Sequence, residues 1–320
     1  MATNKIPCGI EVPQAFLNGP VDTQHIRKFV TRAEELDYDS LWTQERIVSA
    51  FPMLEPVTLM TYVAAITSKL RIGSSVLLTV LRNPVQLAKS LATLDQMSGG
   101  RLIVGVGLGG VVGRYIPESE AVFGYSPERR ATRFTEGLKV MKLLWSEQRA
   151  SFNGVFWNFD DVPMEPKPCQ SPLPLWFGGH AEAALRRAVT LGQGWMGAGS
   201  SSTERFIKEF GRITRLLDET NRDPATFAIS KRVYLAVDDD RDRAEKRLRE
   251  FFAVRYDNPN LASQVAIWGG RQEIIDKLSE VTKAGAQHLV LNPVFDEMEH
   301  LELLAQEVVP NIATRRLASI

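Results

Sequence analysis

The sequence predicts a single (β/α)8 barrel with insertions over residues 1–320, and three observations carry that expectation. Short apolar runs alternate with stretches of helical periodicity about eight times without a break in composition, which is the element pattern of this fold. Runs such as Leu102-Ile103-Val104 are apolar at successive positions, as suits strands covered on both faces of a parallel sheet. The predicted strand ends are instead rich in glycine and hydroxyl groups and poor in ionisable ones. In a barrel of this kind the site lies at those ends.

The elements follow in order. Residues 6–13 read as the first strand, and residues 23–36 as a helix with Ile26, Phe29, Val30 and Ala33 on one face and Asp22 as its N-cap. Ser40–Thr43 is the second strand and delivers Gln44, Glu45 and Arg46 to its end. Pro56 starts a helix to residue 68, residues 70–78 form the third strand, and Pro84 opens a helix stopped by Ser98-Gly99-Gly100. The fourth strand lies within residues 99–110, where Gly105, Gly107 and Gly109 remove alternate side chains, as the close approach of a flat ligand or another backbone requires. An irregular insertion near 111–125 precedes a helix capped by Ser126-Pro127. A second insertion near 150–173 starts with a hairpin, Asn153-Gly154 turning between strands 150–152 and 155–157, and continues as a proline-rich connector. Residues 175–179 and 194–198 are the fifth and sixth strands, each followed by a helix, Glu182–Leu191 and Thr203–Glu219. Residues 227–237 form the seventh strand and run into a charged helix over 239–250. After a third insertion near 251–270 come the helix Arg271–Ala284, the eighth strand over 287–294 and a closing helix over 298–309.

Composition narrows the function. Lys plus Arg and Asp plus Glu both number 38, so neither a nucleic acid nor an anionic membrane is an expected partner. Two cysteines, Cys8 and Cys169, are too few for a disulfide framework or a cysteine metal site, and they suit a reducing compartment. Residues 1–7 lack the apolar core of a signal peptide, so a cytoplasmic protein is expected. Met60, Ala64 and Ala65 add apolar and small positions beyond those a barrel face needs, which points to a homodimer through the helices after strands two and three.

The strand ends set the chemistry. Of four histidines only His180 falls there, without paired carboxylates, which argues against a metal site; the G-x-S-x-G elbow of a serine hydrolase is missing too. Gly178-Gly179-His180 before a helix reads as a phosphate cradle, with Gly199, Ser200 and Ser201 adjoining, since glycines let N–H groups approach an anion at a helix N-terminus. The alternative is two ordinary strand-to-helix turns with capping side chains. Gly105, Gly107 and Gly110 also satisfy the dinucleotide fingerprint, but Gly113 and Pro117 spoil the helix it needs and no acidic strand end follows. Glu45 and Arg46 are adjacent, so one of them faces the lumen unless a bulge intervenes; a surface ion pair is the other reading. The tryptophans read as packing groups.

Several of these stretches together resemble a family: Arg71-Ile72-Gly73-Ser74-Ser75-Val76-Leu77, Asn83-Pro84-Val85-Gln86-Leu87-Ala88-Lys89, Ser98-Gly99-Gly100-Arg101-Leu102 with Gly105-Val106-Gly107, and Leu175-Trp176-Phe177-Gly178-Gly179. Gly194-Trp195-Met196 and Gln287-His288-Leu289-Val290-Leu291 fit as well. The sequence is similar to the luciferase-like flavin-dependent oxidoreductases, whose barrels use FMN or the deazaflavin coenzyme F420. The resemblance implies a strand-three bulge with a non-prolyl cis peptide at Ser75-Val76, propping the central ring of the cofactor near Gly107. It also implies a phosphate site on Gly178, Gly179 and His180, with Gly199, Ser200 and Ser201 beside it. Where dehydrogenases and light-emitting members of the family carry an acid-then-histidine pair, this chain has Glu45 followed by Arg46. Arginine stays charged and cannot take an alcohol proton. Arg46 is expected instead to bind an anion or stabilise developing charge, with Glu45 holding its guanidinium. Gly110 stands where sugar-phosphate dehydrogenases of the family are acidic. The implied activity is F420-dependent hydride transfer involving a small organic substrate. The alternatives are an FMN-dependent monooxygenase served by a partner reductase, and a cofactor-binding protein without turnover.

Overall fold

Each parallel strand is followed by a stretch of chain that returns to the starting end, and eight strands close into a ring. The computed structural model describes residues 5–17, 19–109, 122–124 and 128–314. In chain order the elements are β1 (Cys8–Glu11), α1 (Thr23–Glu35), β2 (Ser40–Thr43), α2 (Pro56–Ile66), β3 (Arg71–Ser74), α3 (Pro84–Ser98), β4 (Leu102–Val106) and α4 (Arg130–Ser146). There follow the hairpin strands β5 (Arg149–Asn153) and β6 (Asn158–Pro163), then β7 (Leu175–Gly178), α5 (Glu182–Leu191), β8 (Gly194–Gly197) and α6 (Thr203–Glu219). The chain ends with β9 (Ala228–Val237), α7 (Arg241–Tyr256), β10 (Ile267–Gly269), α8 (Arg271–Ala284), β11 (His288–Pro293) and α9 (Glu297–Leu303). The ring runs β1-β2-β3-β4-β7-β8-β9-β11 and returns to β1, all parallel; β10 extends the sheet beside the far end of β9, and β5 and β6 pair outside it.

Local chemistry fixes the helix starts. The Asp22 carboxylate accepts from His25 N–H, Asn83 caps α3 before Pro84, and Ser202 accepts from Arg205 N–H. Gly99 ends α3 in the left-handed region at φ 67°. The helices pack their apolar faces on the outside of the ring, while Trp42, Ile103, Trp176, Met196 and Val290 fill its lumen. Trp42 needs room from its neighbours: a Cβ on Gly9 would lie 2.3 Å from its Nε1, and one on Gly73 2.4 Å from its Cζ3. Towards the N-terminal ends of the strands, the His288 ring lies 5.5 Å from both the Trp42 and the Trp176 ring and bonds Ser40 Oγ at 3.0 Å and Ser230 Oγ at 2.9 Å. Burial pushes its imidazole below the usual value. This plug closes the lower end of the lumen.

Some expectations change. Residues 155–157 are not a strand: β6 starts at Asn158, and the N–H groups of Val155, Phe156 and Trp157 donate to the Glu136 carboxylate at 3.0, 2.7 and 3.0 Å. Acceptance by a carboxylate replaces the ladder. The charged helix expected over 239–250 continues to Tyr256, and the rest of the third insertion holds a helical turn, Ala262–Val265, and β10. Met60 and Ala64 are core residues because α2 packs against both α1 and α3; only Ala65 of the three is exposed. Gly110, most of the first insertion and the Ser126-Pro127 cap lie outside the described residues. Among the described residues no helix is long and apolar enough to cross a membrane.

Candidate active site

At the C-terminal ends of β3, β4 and β7 three glycines surround one side chain. β3 pairs with β4 through Gly73 and Ile103, and pairing resumes between Leu77 and Val106, so the β3 side holds one extra residue over that interval. Within this bulge the Ser75–Val76 peptide is cis. A Cβ on Gly107 would lie 2.6 Å from Val76 Cγ2, and one on Gly178 3.1 Å from Val76 Cγ1. At Gly105 it would lie 1.8 Å from the Ser74 carbonyl oxygen. Of the two reasons for thinning a strand, the approach of another backbone holds for Gly105, while Gly107 and Gly178 make room for a side chain. Gly107, expected to touch cofactor, faces Val76; its part is to seat that side chain.

Beside the bulge lies a polar layer that sequence reasoning missed. Glu11 ends β1 and Arg232 sits midway along β9, and their side chains form a buried ion pair at 3.3 Å. Ser75 Oγ donates to Glu11 Oε2 at 3.4 Å, Arg232 donates to Tyr234 Oη at 2.7 Å, and Tyr234 and Tyr256 hydroxyls meet at 2.7 Å. Burial pushes the Glu11 carboxyl up, against the pull of Arg232. For Arg232, burial acts downward, but Glu11, Tyr234 and Tyr256 together outweigh it and hold the guanidinium above its usual value. Among the described residues, Glu11 Oε1, Asn292 Nδ2 and Thr79 Oγ1 are buried without a hydrogen-bond partner. A buried polar atom left unmatched costs about 1–3 kcal/mol. Glu11 ends β1, Asn292 lies near the end of β11, and Thr79 follows the bulge after β3.

The end of β2 is arranged differently from its expected geometry. Glu45 does not hold Arg46. Its side chain is fully buried, accepts from Leu78 N–H and takes Arg82 Nε at 2.9 Å, while Arg82 also bonds Glu55 at 2.6 Å. Neighbours on an extended chain point apart, and the bulge after β3 brings Leu78 and Arg82 to the Glu45 side. Burial pushes the Glu45 carboxyl up, against the pull of Arg82. Arg82 lines a groove of about 1000 Å³ with Leu81, Phe123 and Met164, between the starts of α2 and α3 and the end of β6. Arg46 turns to α7, donating to the Arg255 carbonyl at 3.1 Å with its guanidinium 5.2 Å from the Phe51 ring centre. The neighbouring Gln44 accepts from Arg255 at 2.8 Å, and Gln14 bridges the ends of β1 and β2 through Gln44 and Leu54.

The expected cradle consists of two turns on adjacent strands, since β7 and β8 pair directly. Gly179 has φ 124°, and a Cβ there would meet Ala184 at 2.9 Å, so this turn admits only glycine without strain. Its carbonyl accepts from Trp195 Nε1 at 2.9 Å, and His180 is exposed. In the second turn Gly199 backs onto the Tyr234 ring, 3.0 Å from where its Cβ would be, and Ser200 is half-buried. Ser201 departs from expectation: it is buried and its hydroxyl proton goes to the Ala198 carbonyl at 2.9 Å, so it is not an outward donor.

Comparison with known proteins gives the family. The sequence pattern of the family described as luciferase-like monooxygenase matches residues 4–288. The chain belongs to that family. Among luciferase-like relatives, it is 32% identical over 177 residues to the F420-dependent glucose-6-phosphate dehydrogenase of Kineococcus radiotolerans, covering 52% of this chain and 50% of that one. It is 30% identical over 186 residues to the FMNH(2)-dependent dimethylsulfone monooxygenase of Pseudomonas putida, covering 57% and 50%. The chain thus spans about half the length of the curated relatives it matches. The luciferase-like fold is shared over nearly the whole chain with an F420-dependent secondary alcohol dehydrogenase solved with an F420–acetone adduct, at TM-score 0.83 and 21% identity over 97% of this chain and 99% of that one.

Proposed function

We propose that this chain is an oxidoreductase that binds a reduced flavin-type cofactor, coenzyme F420 before FMN, and uses it on a small organic substrate. The observation that carries this reading is the set of buried atoms left without a hydrogen-bond partner among the described residues, Glu11 Oε1, Asn292 Nδ2 and Thr79 Oγ1, together with the Val76 bulge. When bound, such a cofactor supplies an electron pair, either as hydride to a carbonyl or unsaturated substrate or for the activation of dioxygen. The chain's own residues do the rest. Val76, seated by Gly107 and Gly178, would carry the ring, and Glu11 and Asn292 would take up its polar edge. Gly178, Gly179 and His180 with Gly199 and Ser200 would hold the phosphate. Arg46 and Arg232 place positive charge at the same end of the barrel, where it would stabilise negative charge on a substrate oxygen. No histidine follows Glu45, so alcohol oxidation lacks its base.

The FMN-dependent relative supports the second reading, a monooxygenase served by a separate reductase. Titration of the purified protein with F420 and with FMN, followed by tryptophan fluorescence, separates the two. The expected result is F420 binding at least about tenfold tighter than FMN, a difference of ~1.4 kcal/mol. The reverse order selects the monooxygenase reading. Absence of binding for both at ~100 μM, far above working affinities for such cofactors, overturns the cofactor reading. The expected homodimer stays in the proposal on two exposed side chains, Ala65 of α2 and Met97 of α3. A monomer mass by light scattering removes it.

A further inference from the structure

The turn after β8 is held from the protein side by a lysine that the cradle alone does not call for. Lys231 lies on β9 opposite Gly197 and is 3% exposed. Its stem passes Gly197, where a Cβ would lie 3.0 Å from Lys231 Cδ. Its Nζ donates to the Ala198 carbonyl, to the Ser201 carbonyl at 2.7 Å and to Ser201 Oγ at 3.1 Å. Three acceptors match the three protons of an ammonium. Ser201 reinforces the arrangement, donating from both its N–H, at 3.1 Å, and its hydroxyl, at 2.9 Å, to the Ala198 carbonyl. The carbonyls of the turn are thereby gathered on the lysine. Among the described residues, the N–H groups of Gly199 and Ser200 between them find no acceptor within the chain.

We propose that Lys231 is a positioning residue for the phosphate of the cofactor: its ammonium draws the Ala198 and Ser201 carbonyls inward, frees the Gly199 and Ser200 N–H groups for the anion, and adds positive charge behind the turn. The proposal rests on the cofactor reading above and names the residue that makes one half of the cradle competent. The charged groups that face Lys231 are Glu209 on α6, itself bound by Arg205 at 2.9 Å, and Arg232 next along β9. Burial pushes the ammonium down to about 7, Glu209 holding it up and Arg232 opposing. The ammonium therefore prevails below that pH and is lost above it. A neutral amine offers two protons and a lone pair, so one of its three oxygen partners is then left facing the lone pair.

FMN and riboflavin differ only in the phosphate that F420 also carries on its ribityl chain, and their affinity ratio isolates this contact whichever cofactor is native. Between pH 7 and 9 the FMN phosphate stays dianionic, its second pKa being about 6. In the wild type the preference for FMN over riboflavin should fall about five- to tenfold across that window, as expected for loss of one nearby charge. Lys231→Met should show a weak, pH-independent preference, and Lys231→Arg should keep its preference at pH 9. His180→Ala, which removes the other titratable group of the cradle, should keep the wild-type slope. A strong preference for FMN with the same slope in Lys231→Met, or with the slope retained in Lys231→Arg, overturns the role of Lys231 and leaves the cradle standing. No preference for FMN in the wild type at pH 7 overturns the cradle, and this proposal with it.

Discussion

One valine accounts for glycines on two strands. Gly107 and Gly178 make room for Val76, and Gly105 admits the backbone just before it, so alternate glycines that look like a ligand signature are written largely by a side chain across the sheet. Their spacing was legible in the sequence; their partner was not, because it comes from another strand through a bulge. Gly107→Ala should lower stability by about 1–3 kcal/mol through overpacking. Adding Val76→Ala should return part of that loss, a coupling readable in urea unfolding of the two single variants and the double variant. Glu45 and Arg46 teach a related lesson. Adjacency in sequence suggested a pair, but Glu45 binds Arg82 and Arg46 binds the end of α7. Glu45→Gln should therefore cost about 1.5–3 kcal/mol, the scale of a charge-assisted bond. Its effect on the melting free energy should add to that of Arg46→Ala, since among the described residues Glu45 binds Leu78 and Arg82 while Arg46 binds the Arg255 carbonyl. A clear departure from additivity would restore the direct pairing.

Elements whose ends are fixed locally were readable nearly to the residue. Asp22, Asn83 with Gly99, and Ser202 mark the bounds of α1, α3 and α6 because each cap bonds its own helix within a turn. The hairpin was misread after residue 154 because its turn is held by Glu136 of α4, a group that no local rule points to. A second carboxylate works the same way: Glu34 at the end of α1 accepts from Ser68 and Lys69 N–H at 2.8 and 2.7 Å. Burial acts upward on Glu136, yet the N–H groups of Phe156, Trp157 and Val155 outweigh it and hold its carboxyl below the usual range. A depressed carboxylate contributes stability that is present above its unfolded pKa and lost as pH falls through its folded one. Amide exchange at residues 155–157, corrected for intrinsic rates, should therefore speed up at acid pH below ~4 while that of α1 stays slower. Glu136→Gln should show the same fast exchange at neutral pH. Unchanged protection in that variant would assign the turn to other contacts.

At the scale of the whole barrel, the count of strand–helix units was enough to foresee a ring, although its closure depends on β8 meeting β9 and β9 meeting β11. The two glycine turns were legible because each is a contiguous stretch, and the bulge followed from the family resemblance. The Glu11–Arg232 layer was not, since it joins residues far apart in the chain that only the closed ring brings together. Saturating ligand at about 100 times its Kd should raise stability by ~2.7 kcal/mol. The added protection in amide exchange should concentrate at the ends of β1, β3 and β11 and leave the Ser40–His288 end unchanged. Protection spread evenly over both ends would place the ligand elsewhere. The plug of Trp42, Trp176 and His288 has one more consequence. Among the described residues this stopper shuts the base of the lumen, so a ligand of the barrel has to come in over the C-terminal ends of the strands.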